Sequence, residues 1–303
     1  MNPSSGVPSV LDPQGPAAAS VSDLAWLLFV AGGAILVLVT VAGALALFGG
    51  RKARAWLSSG RFVAAAGIAF PVVALSALLL HLYAIGGRLE AATSAALRIE
   101  VTGEQWWWRV RYPEAGGAPA FETANEIHVP AGVPVELVLT SADVIHSFWV
   151  PQLAGKIDMI PGVENPLVVV ATREGVYRGQ CAEFCGGPHA LMALHVVAQG
   201  RADFEAWRDA QRRPAAAGDA LFVDRCGACH AVRGSPAAGA RGPDLTHVAS
   251  RLTLAAGTLA NSPEGMRRWL ADSQHVKPGN LMPAMRLTDA ELASVATYLA
   301  SLR

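Results

Sequence analysis

Residues 24–48 run for 25 positions without a charged side chain, and residues 62–85 run for 24. As helices at 1.5 Å per residue these runs would be about 37 and 36 Å long, enough to cross a hydrocarbon core of about 30 Å with some tilt. A buried core helix of a soluble domain would be shorter and would carry charge. Pro71 and His81 are the oddities of the second run. Proline is tolerated in membrane helices. His81, near one end, reads as interfacial, with a proton-handling role as the alternative. Between the runs lie Arg51, Lys52, Arg54 and Arg61 and no acid, whereas the preceding tail has Asp12 and Asp23 and no base. Positive loops stay on the cytoplasmic side, so the N-terminus and everything after Gly86 are expected outside, around an antiparallel helix hairpin.

After residue 98 the period changes. Val133, Val135, Leu137 and Leu139 alternate with Pro134, Glu136 and Val138, which predicts a strand, and residues 126–129 and 167–171 read as further strands between Pro and Gly. Many short strands with turn residues suggest a β-sandwich or Greek-key barrel. Residues 201–218 read as a short polar helix and then a Pro- and Ala-rich linker. The period then becomes helical. An amphipathic helix is expected over 220–226, and Thr288-Asp289-Ala290-Glu291 is a capping box ahead of a stripe of Leu292, Val295, Ala296 and Leu299. The expected architecture is a multi-domain membrane protein. It has a flexible tail (1–21), a two-helix transmembrane hairpin (22–86), an all-β domain (87–200), a linker (201–217) and an all-α domain (218–303).

Composition agrees with the membrane assignment: 52% of residues are hydrophobic and only 16% charged. The tail lacks a basic segment, so no secretory signal is visible. Lys plus Arg equals Asp plus Glu at 24 each. Charge therefore offers no argument for a nucleic-acid partner, and none is expected.

The four cysteines fall in two close pairs. The first lies in Cys181-Ala182-Glu183-Phe184-Cys185-Gly186-Gly187-Pro188-His189-Ala190-Leu191-Met192, where two thiols, an imidazole and a thioether share twelve positions. Gly186, Gly187 and Pro188 make this a loop rather than a helix. A disulfide or half a zinc site would use the cysteines alone. Adding imidazole and thioether makes copper the favoured first-row metal, and His146 in Asp143-Val144-Ile145-His146 is placed to join from another loop. The second pair is Cys226-Gly227-Ala228-Cys229-His230, the c-type haem attachment motif. The alternative, a thioredoxin-like redox motif, lacks the βαβ pattern that would surround it.

Cys-x3-Cys-x3-His-x2-Met with an upstream Asp-Val-x-His resembles the binuclear copper (CuA) domain of cytochrome c oxidase subunit II, which implies a cupredoxin fold. The resemblance makes Cys181 and Cys185 bridging thiolates and His146 and His189 caps, one on each copper. It makes Met192 a weak ligand of one copper and the Glu183 carbonyl a weak ligand of the other. The Glu183 carboxylate would also join a magnesium site shared with the large subunit. In Gly103-Glu104-Gln105-Trp106-Trp107-Trp108, the tryptophan after Gln, Trp106, takes the family's role of accepting electrons above the copper. Trp107 and Trp108 read as strand residues and a membrane-interface belt. The segment from Lys156 to Gly162 resembles the loop facing the catalytic subunit. Val163 stands where relatives usually have Arg, and Ala64 where they often have a proton-channel Glu.

The second motif sits in surroundings that resemble a class I cytochrome c. In Gly242-Pro243-Asp244-Leu245 the Pro243 carbonyl would receive the His230 Nδ1 hydrogen. Met282, followed by Pro283, is the expected sixth ligand in preference to Met266 and Met285, the latter a packing residue. Methionine raises the haem potential relative to a second imidazole. His247 and His275 are expected at the surface or behind the ligands, and Trp269 at a haem propionate.

Nearly the whole chain thus resembles subunit II of a caa3-type oxidase. That implies electrons moving from a cytochrome c-like donor through haem c and CuA to haem a of subunit I. Subunit I also holds haem a3, CuB and the oxygen-reducing site, and subunit III is a further expected partner. The expected location is the bacterial inner membrane, with both redox domains on the periplasmic or extracellular side. The alternatives are a membrane-anchored carrier without an oxidase core, and the input subunit of another reductase such as one for nitric oxide.

Overall fold

The computed structural model describes residues 9–90, 95, 97–113, 119–215 and 218–303; the first eight residues of the expected tail lie outside them. The chain divides into two compact units, the helical segment Ala19–Thr93 and the remainder.

In the helical unit, α1 (Pro16–Phe48) starts before the charge-free run, because the Ala- and Ser-rich residues ahead of it are already helical. Two short helices, α2 (Arg51–Leu57) and α3 (Gly60–Ala64), carry the basic loop. A π-helical turn at Ala65–Ala69 then leads into α4 (Phe70–Glu90). The turn has a local cause: Pro71 has no N–H and its ring crowds the carbonyl four residues back, so the ladder widens just ahead of it. α1 and the helical stretch Gly60–Gly86, from α3 through most of α4, are each long and apolar enough to cross a membrane, and none of the described residues covers their most apolar windows. Val30, Leu36, Leu79 and Leu80 are each about two-thirds exposed, apolar area that requires lipid or a partner.

The β domain is a sandwich of two five-stranded sheets. One has the order β3 (Pro119–Ala124), β2 (Trp107–Pro113), β1 (Leu97–Glu104), β5 (Val135–Ser141), β8 (Asn165–Val169). The other runs β4 (Glu126–Pro130), β10 (Ala193–Gln199), β9 (Gly175–Cys181), β6 (His146–Trp149), β7 (Ile157–Met159). β1 pairs with β5 and β4 with β10 in parallel, the mark of crossed connections; the other pairs are antiparallel. Val135, Leu137 and Leu139 are buried as the alternation predicts, and β5 starts only after Pro134, which cannot donate to a ladder. Between the sheets Ile99, Val101, Trp108, Val110, Phe148, Met159 and Leu194 form one core. Trp108 is fully buried with an edge contact to Phe148, so it is a core residue, not part of a membrane-interface belt.

Two segments expected to be loose are tied to this domain. Gln14 donates its N–H to the Gln152 carbonyl at 2.7 Å, and its own carbonyl accepts the Thr172 N–H at 2.8 Å. α5 (Arg201–Arg212) lays Phe204 and Trp207 on the core, with the Trp207 ring stacked 3.9 Å from His128.

The C-terminal domain is helical: α6 (Ala220–Arg225), α7 (Pro263–Ala271), α8 (Ser273–Val276) and α9 (Asp289–Ser301), with a small hairpin of β11 (Thr253–Leu254) and β12 (Leu259–Ala260). The Thr288–Glu291 capping box starts α9, and Leu292, Val295, Ala296 and Leu299 are buried together against Phe222, Met266 and Leu270.

The two soluble domains share polar ties. Glu126, buried in β4, bonds His128 Nε2 at 2.7 Å and accepts the Leu252 N–H from the helical domain at 2.7 Å. Burial opposes the charge on Glu126, but His128 and that N–H outweigh it and hold the carboxyl below its ordinary value of 4.5. A carboxyl with a depressed folded-state pKa stabilises the fold above its unfolded pKa, and the contribution is lost as pH falls through the folded value. Thermal melting of the full chain in detergent should therefore show stability declining below about pH 4.5, and Glu126→Gln should flatten that decline. An unchanged pH profile in the variant would contradict this account.

Candidate metal centre and haem site

The first pair of cysteines sits where β9 ends and the loop to β10 begins. β6 pairs with β9 through Phe148 and Cys181, which carries His146 across to the same end of the sandwich. There the Cys181 and Cys185 sulfurs lie 3.7 Å apart, far beyond the roughly 2.05 Å of a disulfide, and both are free thiols. His146 Nδ1 is 3.8 Å from the Cys181 sulfur, and the Glu183 carbonyl oxygen is 3.2 Å from it. His189 Nδ1 is 3.5 Å and the Met192 sulfur 3.8 Å from the Cys185 sulfur. The six groups therefore form two lobes, each with one imidazole and one weaker donor, joined through the sulfurs. His146, Cys181, Cys185 and Met192 are buried, while His189 is half-buried.

Cys181 loses its proton readily: the Cys185 thiol donates to the thiolate, and although burial opposes the charge, His146 and nearby backbone favour it. The Cys185 thiol is held up by that neighbouring thiolate and by burial. The pair carries one negative charge easily and the second only if a cation enters between the sulfurs. Two sulfurs, two imidazoles and a thioether in a dry pocket fit a soft metal, copper foremost in the first row.

Backbone and side-chain contacts fix the loop. The Gln105 amide and the Trp106 indole N–H both donate to the Cys185 carbonyl, at 2.8 and 2.9 Å. Gly186 has φ +116°, and a Cβ there would lie 2.9 Å from the Trp106 ring, so only glycine lets the loop and indole meet. Trp106 is half-buried rather than an exposed platform. Asp143 is the residue that sequence reasoning passed over. It holds His146 Nε2 at 2.9 Å and accepts the Gln105 backbone N–H at 2.7 Å. With Nε2 occupied, His146 turns Nδ1 toward the sulfur. The signal was present in Asp-Val-x-His, three residues before the histidine.

The helical domain places Cys226, Cys229 and His230 in the turn after α6. His230 Nδ1 donates to the Pro243 carbonyl at 2.9 Å, as the Gly-Pro-Asp-Leu resemblance implies, which leaves the Nε2 lone pair free. Burial lowers the His230 pKa, so the ring is neutral and able to ligate. A Cβ on Gly242 would sit 2.5 Å from the His230 ring. These features, with two unpaired thiols beside the ring, fit a covalently held haem.

Met282 is partly buried against the helical core, and its loop is anchored by α8: the Gln274 amide donates to the Met282 carbonyl at 2.9 Å, and Asn280 Oδ1 accepts its N–H at 2.9 Å. Met266 is a core residue, and Met285 packs at the core edge. His247 is buried and bonds the Arg213 carbonyl through Nε2 at 2.9 Å, His275 is exposed, and Trp269 is half-buried on α7. Elsewhere in the β domain, Trp107 lies under the Arg109 guanidinium at 4.7 Å. The Glu183 carboxylate is half-exposed, 4.0 Å from Lys156 in the loop leading to β7.

Comparison with known proteins matches separately the two domains that follow the helical segment. Residues 97–199 match the family model "Cytochrome C oxidase subunit II, periplasmic domain", and residues 215–303 match "Cytochrome c". A copper centre goes with the first and a haem c with the second. Cytochrome c oxidase subunit 2 of Alkalihalophilus pseudofirmus is 37% identical over 215 residues, covering 68% of this chain and 61% of that one. The Bacillus subtilis protein is 32% identical, covering 69% and 63%, so the chain spans a little over three fifths of these relatives. The Brettanomyces custersianus protein is 32% identical, covering 52% of this chain and 72% of that one. Among solved structures, the periplasmic domain of subunit II of cytochrome oxidase from Bradyrhizobium japonicum is 33% identical, covering 40% of this chain and 96% of that one with a TM-score of 0.38. With a copper-type loop, a haem-attachment domain and relatives of one kind matching up to about two thirds of it, the chain belongs to the cytochrome c oxidase subunit II family.

Proposed function

We propose that this chain is the electron-input subunit of a caa3-type haem-copper cytochrome c oxidase, anchored in the bacterial inner membrane by α1 and α4. The observation that carries the reading is the two-lobed Cys181–Cys185 cluster in the same compact unit as a Cys-x-x-Cys-His domain. When bound, a copper pair and a haem c supply one-electron storage with no bond made or broken. Cys181 and Cys185 would hold the copper as thiolates, with His146, His189, Met192 and the Glu183 carbonyl as the further ligands. Cys226 and Cys229 would hold the haem covalently and His230 and Met282 would ligate its iron, while Pro243 fixes the His230 tautomer. The domain limits that accompany this reading count α5 with the copper domain, because Trp207 lies on that domain's core.

The protein's own residues keep the site rigid and dry. Gln105, Trp106 and Asp143 hold the copper loop and His146 so that little moves when the charge changes, which an electron relay requires. Trp106, bonded to the Cys185 carbonyl, is the residue through which electrons reach the copper. The half-exposed Glu183 carboxylate would exchange its 4.0 Å contact with Lys156 for a magnesium site shared with subunit I. The partners are subunit I, with haem a, haem a3, CuB and the site where oxygen becomes water coupled to proton pumping; subunit III; and a cytochrome c-like donor.

Electron paramagnetic resonance of the purified full chain should show hyperfine structure from one electron shared by two coppers, and mild-detergent isolation from native membranes should bring a large haem a subunit. A mononuclear copper pattern would overturn the copper reading, and isolation without that subunit would favour the stand-alone carrier. Asp143→Asn, which weakens the hold on His146, should lower copper affinity about 10- to 100-fold while leaving the haem Soret band unchanged. Equal affinity by chelator competition would remove Asp143 from the site.

A further inference from the structure

Lys277, in the turn after α8, is only 3% exposed, yet no carboxylate among the described residues lies within ion-pair distance of it. Its ammonium donates to three backbone carbonyls: Trp106 at 2.6 Å, Leu191 at 2.8 Å and Ala255 at 3.2 Å. Burying this charge is costly even with the Cys185 sulfur near enough to favour it, and burial pulls the Lys277 pKa down to about 7; a methionine of similar length would fill the space without that cost. What the apolar side chain could not do is join the three segments. Trp106 is bonded to the Cys185 carbonyl, Leu191 precedes Met192, and Ala255 belongs to the helical domain.

The backbone is strained at the same place. Ala255, Ala256 and Gly257 have φ of +53°, +57° and +81° in the turn of the β11–β12 hairpin, and two alanines in that region are unfavourable. The Ala256 carbonyl accepts the Ala193 N–H at 3.0 Å, immediately after Met192. On its other side Lys277 leads to the Met282 loop. Its carbonyl accepts the Asn280 amide at 2.9 Å, and Asn280 in turn accepts the Met282 N–H at 2.9 Å. The Arg109 bond to the Ala240 carbonyl at 2.9 Å and the Glu126 bond to Leu252 add two ties farther along.

We infer that Lys277 is a positioning residue that locks the methionine loop of the helical domain onto the copper loop, so that the two redox groups work at one fixed separation without a swing of the haem domain. The inference rests on the proposed function. In the transfer, one electron leaves the ferrous haem, which becomes ferric, and reduces the copper pair by one; no proton or bond moves.

The test uses the full chain loaded with copper and haem. In the fully oxidised wild type both centres carry an unpaired spin, and a pulsed dipolar measurement should give one narrow distance distribution. Lys277→Met should broaden that distribution and slow haem-to-copper electron transfer about tenfold or more, since small misplacements cost rate steeply. The Soret band and the copper hyperfine pattern should stay as in wild type. A broad wild-type distribution overturns the inference, as does a K277M protein with unchanged distance and rate. Should K277M fail to accumulate, the wild-type distribution alone decides. Absence of a copper signal or of any haem-to-copper transfer in the wild type would instead overturn the proposed function.

Discussion

Two sulfurs held 3.7 Å apart without a bond between them are the constraint on which the rest depends. Without a cation they settle as one thiolate and one thiol, and as two thiolates they repel across a dry pocket, so the arrangement is suited to a cation between them. Their positions come from the backbone: Cys181 is the last residue of β9, fixed by its ladder to β6, while Cys185 lies in the loop with its carbonyl held by both Gln105 and Trp106.

That requirement explains the all-β scaffold beneath the loop. A sandwich with a continuous core brings His146 on β6 and the β9–β10 loop to one end and denies the side chains freedom to relax. The core itself is ordinary, with Trp108 and Phe148 filling the space under His146. The chemistry is concentrated at the rim, where Asp143, Gln105 and Gly186 each answer one geometric need of the loop.

The helical domain extends the same rigidity to the second redox motif. α5 is not a loose tether, since it packs Trp207 between Tyr112, Phe121 and His128, and the chain leaves the β domain already oriented. The contacts across the domain boundary are polar and buried: Glu126 with Leu252, Arg109 with Ala240, and Lys277 with the Trp106 and Leu191 carbonyls. Polar groups so placed are specific in direction, and they disfavour a sliding, nonspecific contact.

Local signals determined much of this protein. Charge-free runs mark α1 and α4 because lipid tolerates no unpaired charge. Period-two and helical spacing mark the β and α domains, and the capping box and stripe of α9 need only neighbours four residues away. The donor residues are equally legible, because soft-ligand chemistry resides in residue type and close spacing. The tertiary structure decided what depends on long-range partners: that His146 faces Cys181 across a strand pair, that Asp143 orients it, and that Trp108 is core while Trp106 is half-covered. It also decided that α5 and Gln14 are docked on the β domain rather than loose. Lys277 shows the limit most plainly. In the sequence it is one lysine in a polar turn, and its meaning comes from Trp106 and Leu191, which lie 171 and 86 positions away and meet it only when both domains have folded.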